Sequence, residues 1–286
     1  MAEFYKNLFD AHTHLNFDGY DEDEREKLAE EIGASNIRYI VDCGDNVKSS
    51  EQAVRDARKY SWCFAAVGIH PEHAGEATDV MLDDIKKMTN EPKVKAIGEI
   101  GLDFHYGKEY EDEQIKLFRK QIRLANELKM PIMIHTRDAN KLTFDILVEE
   151  GAFAEERCSW FPERNILLQS GEKKTLPDAR VQLHCYSGSE EMALQYIKLG
   201  ATISIGGPLT FKNGKKTVSV VQSIPIECLL SETDAPYLAP EPLRGRQNKP
   251  QYVEHVVRRI AVLKGLEYVE AARILTNNGM RFFNIK

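Results

Sequence analysis

The chain has 286 residues, 42% of them hydrophobic and 29% charged, with 38 Lys and Arg against 45 Asp and Glu. This composition is ordinary for a soluble globular protein and excludes disordered, collagen-like and disulfide-scaffold classes. The net charge of −7 argues against wrapping long duplex nucleic acid by charge alone, though a local basic patch or bound metal can still grip a short strand or a strand end. There is no apolar run of about 18 residues, so no membrane span is expected, and the opening MAEFYK lacks the apolar core of a signal peptide. The five cysteines, Cys43, Cys63, Cys158, Cys185 and Cys228, share no metal-type spacing and read as reduced thiols of a cytoplasmic protein.

Short apolar runs alternate with longer amphipathic ones. Residues 7–15 read as a strand, followed by a charged helix over 21–31. A second strand at 37–44 leads into a helix over 47–60, and a third at 63–70 into a helix near 80–88. A fourth strand spans 94–103. The stretch 110–129 places Ile115, Phe118, Ile122, Ala125 and Leu128 close to the helical period. Pro131 closes that helix and opens a fifth strand, 131–136. Asp138 is positioned to cap the next helix, which reaches Glu150.

Residues 153–178, with Arg157, Trp160, Pro162, Gly171 and Pro177, break this rhythm and read as an insertion. Alternation resumes with strands at 179–186, 201–207 and 228–233 and helices near 190–199 and 215–223. Two helices, 251–264 and 268–278, finish the chain. No internal repeat or low-complexity segment is evident. The length admits two smaller domains or one barrel. Apolar strands separated by helices argue for a parallel sheet covered on its faces, and eight of them for a closed (β/α)8 TIM barrel. A single domain over 1–286 with an insertion before the sixth barrel strand is therefore expected.

Active sites of such barrels lie at the C-terminal ends of the strands. Here those ends carry His12 and His14, His70, Glu99 and Asp103, His135 and Arg137, His184, and Asp234. His12 and His14, two apart on a strand, share one side. Glu99, His135, His184 and Asp234 would converge on the same axis. Buried together without a cation, such groups would be costly. Four imidazoles and two carboxylates suffice for two divalent ions, with zinc, manganese or iron suited to the mixed nitrogen and oxygen donors and magnesium where carboxylate and water dominate. Ions about 3.5–4 Å apart would clamp a phosphoryl group and acidify a bridging water, the nucleophile of a hydrolase. Glu99 is the natural bridge, since a carboxylate can offer one oxygen to each ion.

These residues lie in DAHTHL (10–15), VGIHP (67–71), IGEIGLD (97–103), MPIMIHTRDA (130–139), LHCYSG (183–188), ISIGG (203–207) and SETDAPYL (231–238), with RGRQNKP (244–250) and TNNGMRFF (276–283) further on. In this order the motifs resemble the TatD-type metal-dependent deoxyribonuclease family of amidohydrolase-like barrels, over nearly the whole chain. The resemblance implies that His12, His14 and Asp234 hold one metal and His135 and His184 the other, with Glu99 bridging and Asp234 helping to deprotonate the water. It also implies phosphodiester hydrolysis of DNA, often from the 3′ end. The chain departs from the family at His105 and Tyr106, where aromatic residues are frequent, at Tyr186, where Phe is usual, and in its longer insertion, whose Trp160 and Phe161 either pack the insertion or stack on a base.

On the substrate side, His70, Asp103, Arg137, Arg244 and Arg246 are the candidates, with Lys212, Lys215, Lys216 and Lys249 nearby in sequence. His73 and His255 read as incidental. The main expectation is a nuclease acting as a monomer on short or single-stranded DNA. A small-molecule amidohydrolase acting on an amide or ester with the same centre, and a non-catalytic metal-binding scaffold, are the rivals. Glu99 at the end of strand four, where a lysine would suggest a carboxylated bridge, moves weight away from the phosphotriesterase-like branch.

Overall fold

The computed structural model describes residues 6–105, 108–167 and 171–286. Eight parallel strands form one sheet: β1 (Leu8–Thr13), β2 (Ile37–Cys43), β3 (Cys63–Val67), β4 (Val94–Asp103), β5 (Ile132–Arg137), β8 (Val181–Leu183), β9 (Thr202–Ile205) and β10 (Leu229–Ser231), in that spatial order. β6 (Arg164–Leu167) and β7 (Lys173–Leu176) form a separate antiparallel hairpin. The helices are α1 (Glu22–Ala34), α2 (Val47–Lys59), α3 (Asp79–Met88), α4 (Glu111–Glu127), α5 (Asn140–Glu149), α6 (Glu155–Ser159), α7 (Glu190–Lys198), α8 (Lys215–Ser223), α9 (Val253–Lys264) and α10 (Tyr268–Phe282). The sheet closes between β10 and β1: Asp234 N–H donates to His12 O (3.0 Å) and His14 N–H to Ala235 O (2.8 Å). This is the expected (β/α)8 barrel. No helix among the described residues is long and apolar enough to cross a membrane.

Local sequence sets the boundaries. Asp21 opens α1 through a capping box, accepting from Glu24 N–H while Glu24 accepts from Asp21 N–H. α4 buries Gln114, Leu117, Phe118, Gln121, Ile122 and Ala125, a helical stripe laid on the sheet. Asp138 does not cap α5. Its φ of +56° takes its backbone out of the extended cap conformation, and its carboxylate faces His105 Nδ1 at 3.1 Å instead. The barrel strands six to eight are shorter than the apolar runs suggest, trimmed at their starts as well as at the mouth. α10 continues beyond residue 278, where Phe282, with Phe283 after it, fills the barrel floor.

Two apolar layers result. One lies between the sheet and its helices. The other, inside the barrel, joins Phe9, Ala11, Val41, Cys43, Ala66, Ala96, Met133 and Leu230 to Phe282, Phe283 and Ile285, with Phe9 and Phe283 stacked at 5.8 Å.

The insertion becomes α6 and the β6–β7 hairpin, on the N-terminal face of the barrel. Arg157, 1% exposed, donates to Ala179 O, Met130 O and Asn126 Oδ1, tying α6 to the starts of β8 and β5. Arg164 donates to Pro177 O and to Thr202 Oγ1 at the start of β9. Trp160 and Phe161 pack edge to face beneath Lys129 and Arg180, so their contacts are with this floor and not with the mouth.

Candidate metal centre

Strand irregularity delivers the central residues. Phe9 and Ala11 belong to the barrel interior, but the pairing of β1 with β2 shifts register between Asp10 and Thr13. Beyond that shift His12 and His14 are the inward residues. β4 repeats the device: Ala96 is interior, the pairing with β5 shifts between Ile97 and Ile100, and Glu99 turns inward. Such bulges re-aim side chains beside active sites. Gly101 lets β4 make its close approach. Its φ is +150°, and a Cβ there would lie 1.9 Å from His135 O.

The two oxygens of Glu99 face two separate nitrogen sets. Oε1 lies 2.8 Å from His135 Nδ1 and 2.8 Å from His184 Nε2, with those nitrogens 3.3 Å apart. Oε2 lies 3.3 Å from His12 Nε2 and 3.8 Å from His14 Nε2, and Asp234 Oδ1 is 3.5 Å from each of those nitrogens. Donors bound at about 2.0–2.2 Å to one cation and subtending roughly 90–110° stand about 3–3.5 Å apart. The donor atoms here have that spacing around two points, so residues and group fit. His14 Nδ1 faces Cys43 O at 2.8 Å, which leaves Nε2 as the lone-pair nitrogen. His70 and Glu232 also come within ligand reach of this cluster.

The electrostatics agree. Burial opposes ionisation of Glu99, but His184 and His12 hold its carboxyl well below the usual range. Asp234 is likewise lowered against the effect of burial, first by its bond to His14. Burial disfavours the charged form of His14, yet Asp234 and Glu99 raise it to about 9. His135 is raised, against burial, by Asp103 and Glu99, and His184 well above its ordinary value by Glu99 and Glu232. His12 is lowered, by burial and then by His184. Protons and cations are alternative partners for such a cluster, and a bound cation displaces the protons.

Three further acidic side chains brace the centre. Glu232, fully buried, accepts from Cys185 N–H (2.5 Å), Ser204 Oγ (2.5 Å) and Gln182 Nε2 (3.4 Å), and its Oε1 lies 3.5 Å from His184 Nδ1. Asp10 accepts from Thr233 N–H and Oγ1, fixing the turn into Asp234, which holds φ +57°. Asp42 accepts from Asn16 N–H and Nδ2. None of the three was singled out by sequence position, although Glu232 sits two residues before Asp234.

The expected substrate residues divide. Asp103 is buried against the centre, its Oδ2 3.1 Å from His135 Nε2. His70 is buried with its ring 4.4 Å from that of His135, and burial and His135 lower it to about 3. His70, Asp103 and Arg137 line a cavity of about 540 Å³ above the cluster, together with Phe17, Tyr20, Lys48, Arg55 and Tyr237. Arg244 and Arg246 are exposed and form no part of that wall; Arg244 lies 4.2 Å over the Phe211 ring. Lys212 and Lys215 line a separate shallow groove. The cations lining the mouth therefore come from α1 (Arg25), from α2 (Lys48 and Arg55) and from the end of β5 (Arg137). Tyr106 lies outside the described residues.

Known proteins share this framework. The family described as TatD related DNase matches residues 9–284. The uncharacterized metal-dependent hydrolase YabD of Bacillus subtilis is 40% identical over 97% of this chain and 99% of its own length. The uncharacterized metal-dependent hydrolase TatD of Mycobacterium tuberculosis is 32% identical over 97% and 98%. The crystal structure of YJJV, a TatD homologue from Escherichia coli, superimposes with a TM-score of 0.83 at 25% identity, covering 99% of this chain and all of that one. In sequence over its whole length and in fold, the chain belongs to the TatD family of metal-dependent hydrolases.

Proposed function

We propose that this hydrolase is a deoxyribonuclease that cleaves phosphodiester bonds from a DNA 3′ end, using two divalent ions, Mg²⁺, Mn²⁺ or Zn²⁺. The observation that carries the reading is Glu99, whose two oxygens each face their own set of donors. His12, His14 and Asp234 would hold one ion and His135 and His184 the other. When bound, the ions supply Lewis acidity, acidifying water and neutralising charge on the phosphoryl oxygens.

The chain's own groups do the rest. Glu99 and Asp234, both lowered below the usual carboxylate range, stay ionised at neutral pH. Asp234, through the carboxylate oxygen not turned toward the His12 and His14 nitrogens, accepts the proton of the attacking water. Asp103 braces His135 from behind. Arg137, a lining residue with an always-charged planar fork, suits a phosphate, and His70 suits contact with the bound strand. Arg25, Lys48, Arg55 and Arg137 give a phosphate cationic partners at this mouth, beside the acidic Asp18, Asp45 and Glu72.

The test offers short 3′-labelled single-stranded DNA and a panel of amides and esters to the purified protein with each metal. Metal-dependent shortening of the DNA from its labelled end is expected. Rapid amide or ester turnover without DNA cleavage would overturn the nuclease reading in favour of a small-molecule amidohydrolase. Metal binding without any hydrolysis would leave a scaffold.

A further inference from the structure

The walls of the cavity over Glu99 differ in chemistry from sector to sector. Over β10 and β1 the wall is aromatic. Tyr20 meets Phe17 edge to face at 5.3 Å, Phe17 meets Tyr237 at 5.9 Å, and Tyr237 meets His14 at 6.2 Å. This run of rings descends from the rim to the floor, and Tyr237 remains 51% exposed at its centre. Over β2 the wall is cationic. Lys48 is exposed and has no carboxylate partner among the described residues, and Arg55, also exposed, has only Glu51 at 3.9 Å and the neutral Gln52. Negative charge lies between this wall and β3, where Asp45, which leads into α2, and Glu72, which follows β3, cluster with His73 within 4.8 Å.

We infer that this β10–β1–β2 sector is the strand-binding site: an unpaired nucleotide next to the scissile phosphate stacks its base on Tyr237 against Phe17, while the following phosphates lie on Lys48 and Arg55. Every base has a face that can stack on an aromatic ring, so the site accepts any sequence but only an unpaired strand. A base on Tyr237 lies beside His14, which sets the adjoining phosphate over the floor. Paired ends must fray before they fit. The inference rests on the nuclease reading for its substrate class, and its binding arm is separable from catalysis.

The test measures anisotropy of a fluorescent oligothymidylate on the metal-free protein, with cleavage of the same oligonucleotide by the metal-loaded protein as a second readout. Lys48→Ala and Arg55→Ala should each flatten the slope of log affinity against log salt by about 0.7, the value of one single-strand phosphate contact. Tyr237→Leu should weaken binding roughly five- to hundredfold, the range for one lost base stack, and Tyr237→Phe should restore it. On an oligonucleotide carrying an abasic unit at the stacked position, wild type and Tyr237→Leu should bind alike, which a purely structural role for Tyr237 would not produce. Unchanged salt slopes, a Tyr237→Leu penalty that persists without the base, or no wild-type binding would overturn the inference. Tyr237-dependent binding without any cleavage would refute the nuclease reading alone and leave this site standing.

Discussion

Replacing Glu232 by Gln tests whether the buried carboxylates hold the centre in shape. Glu232 has no exposed surface and accepts from two close donors, Cys185 N–H and Ser204 Oγ, each at 2.5 Å. Its Oε1 faces His184 Nδ1 at 3.5 Å, and that nitrogen has no hydrogen-bond partner. If His184 uses Nε2 toward the centre, Glu232 selects the tautomer with the proton on Nδ1. Gln preserves shape, but its amide nitrogen must replace one acceptor oxygen. Turned one way, the amide sets donor against donor at Gln182 Nε2 and leaves His184 an amide oxygen, a weaker acceptor than a carboxylate; turned the other, it sets donor against donor at Cys185 N–H and His184 Nδ1 and removes the acceptor altogether. A lost partner of a ligating imidazole typically lowers metal affinity about 10- to 100-fold, or roughly 1.4–2.7 kcal/mol. Calorimetric titration should show that loss at the weaker site, with the rate at saturating metal largely retained. Affinity unchanged within twofold, or a rate lost at full metal occupancy, would refute the bracing role.

Other consequences follow from the same geometry. Glu99→Gln and His135→Ala should each reduce hydrolysis at least about a hundredfold, since each breaks a donor set at the centre; a preserved steady-state rate in both would remove Glu99 and His135 from the machinery. Asp42 is pushed up to about 8 by burial and by Asp56, from an ordinary 3.8, and its Oδ2 has no hydrogen-bond partner. The unfolded chain releases that proton first, so stability is intact below pH 3.8 and falls as pH rises toward about 8, by about 1.4 kcal/mol per unit. Asp42→Asn should make urea-denaturation stability fall less steeply over that window, and parallel profiles would contradict the assignment. Arg157→Ala strands the carbonyls of Met130 and Ala179 and the amide oxygen of Asn126, each lost partner costing about 1–3 kcal/mol. The urea midpoint should drop sharply while the metal affinity of the folded fraction holds, because the change is confined to the barrel floor.

The sequence exposed the barrel because its strands are apolar runs that end in chemistry-bearing residues, a contrast that survives without coordinates. His12, His14, Glu99, His135, His184 and Asp234 stood out for that reason, and the structure brings all six together. Other features were hidden for definite causes. The register shifts at Asp10–Thr13 and Ile97–Ile100 leave no mark on a one-dimensional pattern. Glu232 lies inside SETDAPYL, two residues before Asp234, and a buried brace spells the same as a spacer. Asp138 has the composition of a helix cap, but its left-handed backbone and His105 decide otherwise. Lys48 and Arg55 sit on a helix whose charged face resembles any solvated one, whereas Arg244 and Arg246 follow a strand end yet are not among the residues lining the cavity. The insertion announced itself by composition, while its hairpin depends on pairing that short polar strands do not advertise.

The seam between β10 and β1 bears on how the enzyme comes into being. Thr233 and Asp10, 223 positions apart in the chain, bond directly, and the neighbouring backbone links run through His12, His14 and Asp234 themselves. Such distant pairings close late, because the intervening chain must be ordered first. The ring is thus fastened by the segments that carry the reactive atoms. Before closure only Glu99, His135 and His184, carried by β4, β5 and β8, can come together, and hydrolytic power should emerge only when the seam adds His12, His14 and Asp234.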